Sequence, residues 1–161
     1  MGCLFHKIPE NVSINEQRVK FTGRCPYHQY VPNNPDPVEM KIFVLAATTE
    51  LVLDFEIYQG LADFAAFTPT QVDLGLGDFI IARLANSLSL GSKIYCDHYF
   101  RGLKISNFIL DKNIYSTGTG TKNQIAKSVK KVPYDKEMKK YERGASKSVV
   151  NREGNICITK W

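Results

Sequence analysis

Lys93-Ile94-Tyr95-Cys96-Asp97-His98-Tyr99-Phe100 is a short apolar run with a single acidic residue. Alternation puts Ile94, Cys96 and Phe100 on one face of a strand, and Tyr95, Asp97 and Tyr99 on the other. A carboxylate near the end of such a strand is costly to bury without a partner. Two partners fit the pattern. One is a divalent cation; the other is the backbone of the helix that opens around Arg101, which Asp97 would cap, unless Asp97 simply sits at a solvated strand end.

Upstream of this stretch, Val12 to Phe21 reads as a strand with Val12, Ile14, Val19 and Phe21 apolar. Gly23-Arg24-Cys25-Pro26 turns the chain, Tyr27 to Val31 is short and extended, and Pro32 to Pro37 excludes regular structure. Met40 to Ala47 is a nearly continuous apolar strand, of the kind covered on both faces. Leu51 to Tyr58 alternates again, so these strands read as an antiparallel meander. After a loop over 60–77, Asp78 reads as the N-cap of a helix over Phe79 to Leu90, which Gly91 ends. Downstream, a helix over Leu103 to Lys112 buries Ile105, Phe108 and Ile109, and Ile114 to Thr119 forms a last strand. The order is three strands, helix, strand, helix, strand. It predicts an α/β fold with a ribonuclease-H-like mixed sheet flanked by helices.

At 161 residues and 43% apolar, the chain suits one ordinary core. Its longest unbroken apolar run, Ile42 to Ala47, is far below a membrane span, and Met1 to Lys7 lacks the apolar core of a secretory signal. Met1-Gly2 opens like a myristoylation site, but His6 stands where Ser or Thr is wanted. Cys3, Cys25, Cys96 and Cys157 form no CxxC pair, which points to reduced intracellular thiols. Charge is unevenly placed: eleven Lys and Arg face four Asp and Glu from Lys122 onward, against ten and twelve before it. The predicted organisation is a ragged extension over 1–11, a partial domain over 12–121 and a basic region over 122–161. The basic tract suits phosphate, or else simply solvates a loop.

Several blocks in order carry a family resemblance. They are Ser13-Ile14-Asn15-Glu16-Gln17, Gly23-Arg24-Cys25-Pro26, Tyr30 to Pro35, Val52 to Gly60, Leu74 to Gly77, Tyr95 to Phe100, Thr117-Gly118-Thr119 and Gly154 to Trp161. Together they resemble the catalytic domain of piggyBac transposases over nearly the whole chain. The resemblance implies three Asp residues holding two divalent ions, Mg2+ or Mn2+, for DNA strand cleavage and joining. Asp97 matches the second family Asp, a catalytic and metal-binding position. Asn15 stands at the first, where an amide brings no charge to a hard cation. Glu16 cannot substitute, because neighbouring strand residues face opposite ways. The third position falls beyond Trp161, so the fold is read as truncated before that carboxylate. Thr121 and Gln124 also replace family basic residues.

The expectation is therefore a fragment of a transposase catalytic domain without strand cleavage. DNA, as transposon ends, and a full-length transposase are the implied partners; the implied location is nuclear, and metal binding is weakened. The alternative is a non-catalytic DNA- or transposase-binding protein. It would neutralise phosphates with Lys122, Lys127, Lys130, Lys131, Lys139, Lys140 and Arg143, with Tyr134 and Tyr141 interleaved. A third reading builds a nuclease site from Asp54 or Glu56 with Asp97. No Cys or Ser partner suggests a catalytic role for His6, His28 or His98.

Overall fold

The computed structural model describes residues 8–33, 35, 37–60, 75–100, 102–120, 132–133 and 135–161. Two compact units result, residues 1–120 and 121–161. The first is built on a six-stranded sheet of β1 (Asn11–Lys20), β2 (Gln29–Tyr30), β3 (Val38–Ala47), β4 (Val52–Ile57), β5 (Lys93–Cys96) and β6 (Tyr115–Gly118). The strand order is β2-β3-β1-β5-β6, and β4 also pairs with β3. β1 pairs antiparallel with β3 and parallel with β5, and β5 pairs parallel with β6. The expected antiparallel meander is present in β1, β3 and β4, and the mixed α/β sheet is the predicted class.

Alternation decides which face is inside. Val12 and Ile14 of β1, Phe43 and Leu45 of β3 and Ile94 of β5 are buried together. Against them pack α1 (Leu76–Ala85), through Ile80, Ile81 and Leu84, and α2 (Leu103–Leu110), through Ile105 and Ile109. On the opposite face Ile42, Val44 and Ala46 are half-buried. Val52, Phe55, Tyr95 and Tyr115 there are between 45% and 54% exposed. β3 thus alternates from Ile42 to Ala47, whereas its apolar run reads as a strand covered on both faces.

Three boundaries differ from the sequence reading, each for a local reason. α1 begins at Leu76 with Gly75 as N-cap, and Asp78 lies inside the first turn. Its Oδ2 reaches back to accept the Gly75 N–H at 3.1 Å, so the carboxylate caps from within the helix. The helix stops at Ala85 and residues 86–90 form turns that lead to Gly91, at φ +86°. The strand of the opening stretch ends at Cys96. Asp97 Oδ1 accepts the Tyr99 N–H at 2.9 Å and draws His98–Phe100 into a 3-10 turn.

The second unit holds the single-turn helix α3 (Asp135–Met138) and a hairpin of β7 (Lys147–Val150) and β8 (Cys157–Lys160). Asn151 Oδ1 accepts the N–H groups of Asn155 and Ile156 at 3.0 and 3.1 Å, closing the hairpin turn. Lys160 Nζ ties α3 to the hairpin through Asp135 at 2.6 Å and the Pro133 carbonyl at 2.8 Å. Among the described residues no helix is long and apolar enough to cross a membrane.

Candidate active site at the switch in the sheet

β1 is where the sheet changes from antiparallel to parallel, and the chain leaves it to opposite sides. In open α/β sheets ligands bind at the carboxyl ends of strands at such a switch point. The register there is explicit: Ile14 pairs with Cys96, and Cys96 with Gly118. The next residues along the three parallel strands are Asn15, Asp97 and Thr119, all exposed. The fold therefore sets Asn15, midway along β1, next to Asp97, just past the end of β5. Thr119 completes the row, a neighbour that only the register reveals.

The turn carrying Asp97 is braced on several sides. A Cβ on Gly77 would lie 2.3 Å from the Tyr99 carbonyl oxygen and 3.0 Å from Phe100 Cα, so only glycine lets α1 approach the turn this closely. Asp78 also accepts the backbone N–H of Gly102, the N-cap of α2, and so joins the amino ends of both helices. Burial pushes the Asp78 carboxyl above its usual range, opposed by the Gly75 N–H, the Lys104 charge and the Gly102 N–H. Phe100 is buried edge-on to Phe43 at 5.7 Å. Tyr99, expected to share the Asp97 side of a strand, instead stacks on Phe43 at 6.4 Å, because the strand has already ended.

Glu16, next to Asn15, faces the other way, as alternation requires. It pairs with Lys41 at 2.7 Å and Arg18 at 2.9 Å. Burial works to raise its carboxyl, but hydrogen bonds from Lys41 and Arg18, and their charges, bring it below the usual range. Lys41 Nζ in turn sits 4.8 Å from the Tyr99 ring centre and 5.4 Å from that of Phe43. Lys41 went unremarked in the sequence, although a lone cation within the apolar run Met40 to Ala47 signals a partner.

Asp54 and Glu56 do not join Asp97. They lie on β4, separated from β5 by β3 and β1. Arg83 of α1 holds both, at 2.9 and 3.2 Å, and Ser87 Oγ donates to Asp54. Burial tends to raise the Asp54 carboxyl, but the Ser87, Arg83 and Phe55 N–H hydrogen bonds lower it overall. His98 is exposed beside Asp97, and His28 Nδ1 contacts the Cys25 carbonyl. Of the basic candidates, Lys139, Lys140 and Arg143 are exposed just beyond α3. Lys122, Lys127, Lys130 and Lys131 lie outside the described residues, as do His6 and Tyr134.

Among the described residues, the pair at the switch offers few charged oxygens to a hard cation. Asn15 offers an amide oxygen, Asp97 the one carboxylate, and one oxygen of that carboxylate already accepts a backbone N–H. Among the described residues, no group of three or more His, Cys, Asp or Glu gathers to hold a metal ion.

The family described as transposase IS4 matches residues 5–161. The chain belongs to that transposase family. Among solved structures, it is similar to the piggyBac transposase of a synaptic complex with hairpin DNA, seen by cryo-electron microscopy, with a TM-score of 0.66 and 23% identity. The alignment covers 90% of this chain and 29% of that one, so this member of the transposase family spans under a third of that transposase. The likeness gives the transposase sheet its fold, and agrees with the piggyBac resemblance in the sequence. No curated protein matches the chain.

Proposed function

We propose that these residues form a transposase-type catalytic sheet whose cation site is degenerate, so that the chain as it stands does not cleave DNA strands. The observation that supports this most directly is an amide, Asn15 of β1, in register beside one carboxylate, Asp97, just past the end of β5 where the sheet switches. Cleavage in such a site needs divalent ions held by several charged oxygens, and this pair supplies one charge. Asn15→Asp restores a second. Calorimetric titration with Mn2+ or Mg2+ should then show tighter binding than the unmodified chain, with no nicking of a piggyBac-type transposon end, since two carboxylates hold two ions poorly. Strand cleavage by the unmodified chain that Asp97→Ala abolishes would overturn the reading. Cleavage gained by Asn15→Asp alone would leave Asn15 as the sole lesion.

A second reading is a DNA- or transposase-binding role for the tract 122–147. Its support is the exposure of Lys139, Lys140 and Arg143 in a unit with seven Lys and Arg against four Asp and Glu over 132–161. Phosphate contacts of this kind give salt-sensitive binding with little sequence preference. The resemblance to a transposase that holds hairpin DNA in its solved complex makes transposon-end DNA the first ligand to try.

A further inference from the structure

We propose that the Glu16–Lys41 ion pair is a positioning couple that holds the Asp97 turn against β1 and so sets the spacing between Asn15 and Asp97. This rests on the reading of Asn15 and Asp97 as the candidate site. The connection runs through named contacts. Glu16 follows Asn15 directly in β1, and its Oε2 takes the Lys41 ammonium at 2.7 Å. The same ammonium stands 4.8 Å over the Tyr99 ring, and the Tyr99 N–H holds Asp97 Oδ1 at 2.9 Å. Both side chains of the pair are mostly withdrawn from solvent, at 15% and 21% exposure, so the contacts are weakly screened.

β1 and β5 are parallel and hydrogen-bonded only as far as Ile14 and Cys96. Among the described residues the β1–β5 ladder ends there, and the couple crosses from the core side. Arg18 adds a second cation to Glu16, and Glu39 adds an acid to Arg18 at 3.2 Å. Lys41 is the member that also reaches an aromatic ring of the turn.

Hydrogen exchange tests the couple without any metal. In Lys41→Met, which keeps the apolar stem, the Tyr99 amide should exchange about tenfold faster while the amides of the β1–β3 ladder keep their protection. Lys41→Arg, which restores the charge over the ring, should recover most of that protection, and Glu16→Gln should loosen Tyr99 in the same direction as Lys41→Met. Unchanged Tyr99 protection in Lys41→Met, or a loss shared equally by the ladder amides, would overturn the proposal. A second readout adds Lys41→Met to Asn15→Asp, where Mn2+ affinity should fall relative to Asn15→Asp alone. If Asn15→Asp binds no Mn2+ while Tyr99 responds as expected, the positioning couple stands and the degenerate-site reading fails instead.

Discussion

Gly77 shows how one missing side chain fixes a distant carboxylate. Adding a Cβ there meets backbone, the Tyr99 carbonyl at 2.3 Å, and backbone cannot swing aside as a flexible side chain can. Gly77→Ala should therefore destabilise the first unit by about 1–3 kcal/mol in denaturant titration, as an overpacked contact does. It should also shift the resonances of residues 97–100 more than those of β3. Asp78, one residue on, answers to pH with the opposite sign from Asp54 and Glu16. Its raised carboxyl value means the stability it contributes is present at low pH and lost as pH rises through that value. Asp78→Asn keeps an acceptor oxygen for one of the Gly75 and Gly102 N–H groups and turns its NH2 on the other, so the variant starts at a deficit that should narrow as pH climbs above about 4. Asp54 and Glu16 have lowered values, so their contribution is present at neutral pH and lost on acidification. Asp54→Asn should accordingly flatten the stability loss seen as pH falls below about 4.

At the scale of elements, β4 and α1 are joined by charge as well as by packing. Arg83 bridges Asp54 and Glu56, and all three side chains are between 20% and 30% exposed. Arg83→Met leaves two half-buried acids without their cation, at a cost of roughly 1–3 kcal/mol in chemical denaturation. Double-variant cycles with Asp54→Asn should show clear coupling. Much of this layer was legible in the sequence. Alternation located β1, β3, β4 and β5 and helical spacing located α1 and α2, whereas Asn15 is marked out only by the piggyBac resemblance. What stayed hidden depends on contacts between elements. Asp78 read as an N-cap because its chemistry is that of a cap, yet the glycine three residues earlier takes that position and Asp78 reaches back to it. The strand read through to Phe100 because apolar alternation continues past Cys96, while a single side-chain bond from Asp97 ends it. Alternation turns Glu16 away from the site, and that same orientation lets it meet Lys41 behind the site.

For the molecule as a whole, charge and exposed apolar surface lead to separate expectations. Neutralising Lys139, Lys140 and Arg143 should flatten the slope of log affinity against log salt for DNA, by roughly one phosphate-equivalent per cation that makes contact. An unchanged slope places the contacts elsewhere. The half-covered sheet face, with Val52, Phe55, Tyr95 and Tyr115 about half exposed, should bind a hydrophobic dye in the native state. Phe55→Ser should reduce that signal without unfolding the chain, since Phe55 is 54% exposed. The parallel ladder of β1 on β5 has a consequence in time. Asn11 pairs with Lys93 and Ile14 with Cys96, so each contact closes a loop of about eighty residues. Hairpin-like pairing of β1, β3 and β4 closes far shorter loops, and should form first during refolding. Conservative truncation at Ile94, such as Ile94→Val, should then speed unfolding and leave the refolding rate almost unchanged. On that schedule Asn15 spends most of the folding reaction without Asp97 beside it, and β1 meets the end of β5 only as the chain commits to its native state.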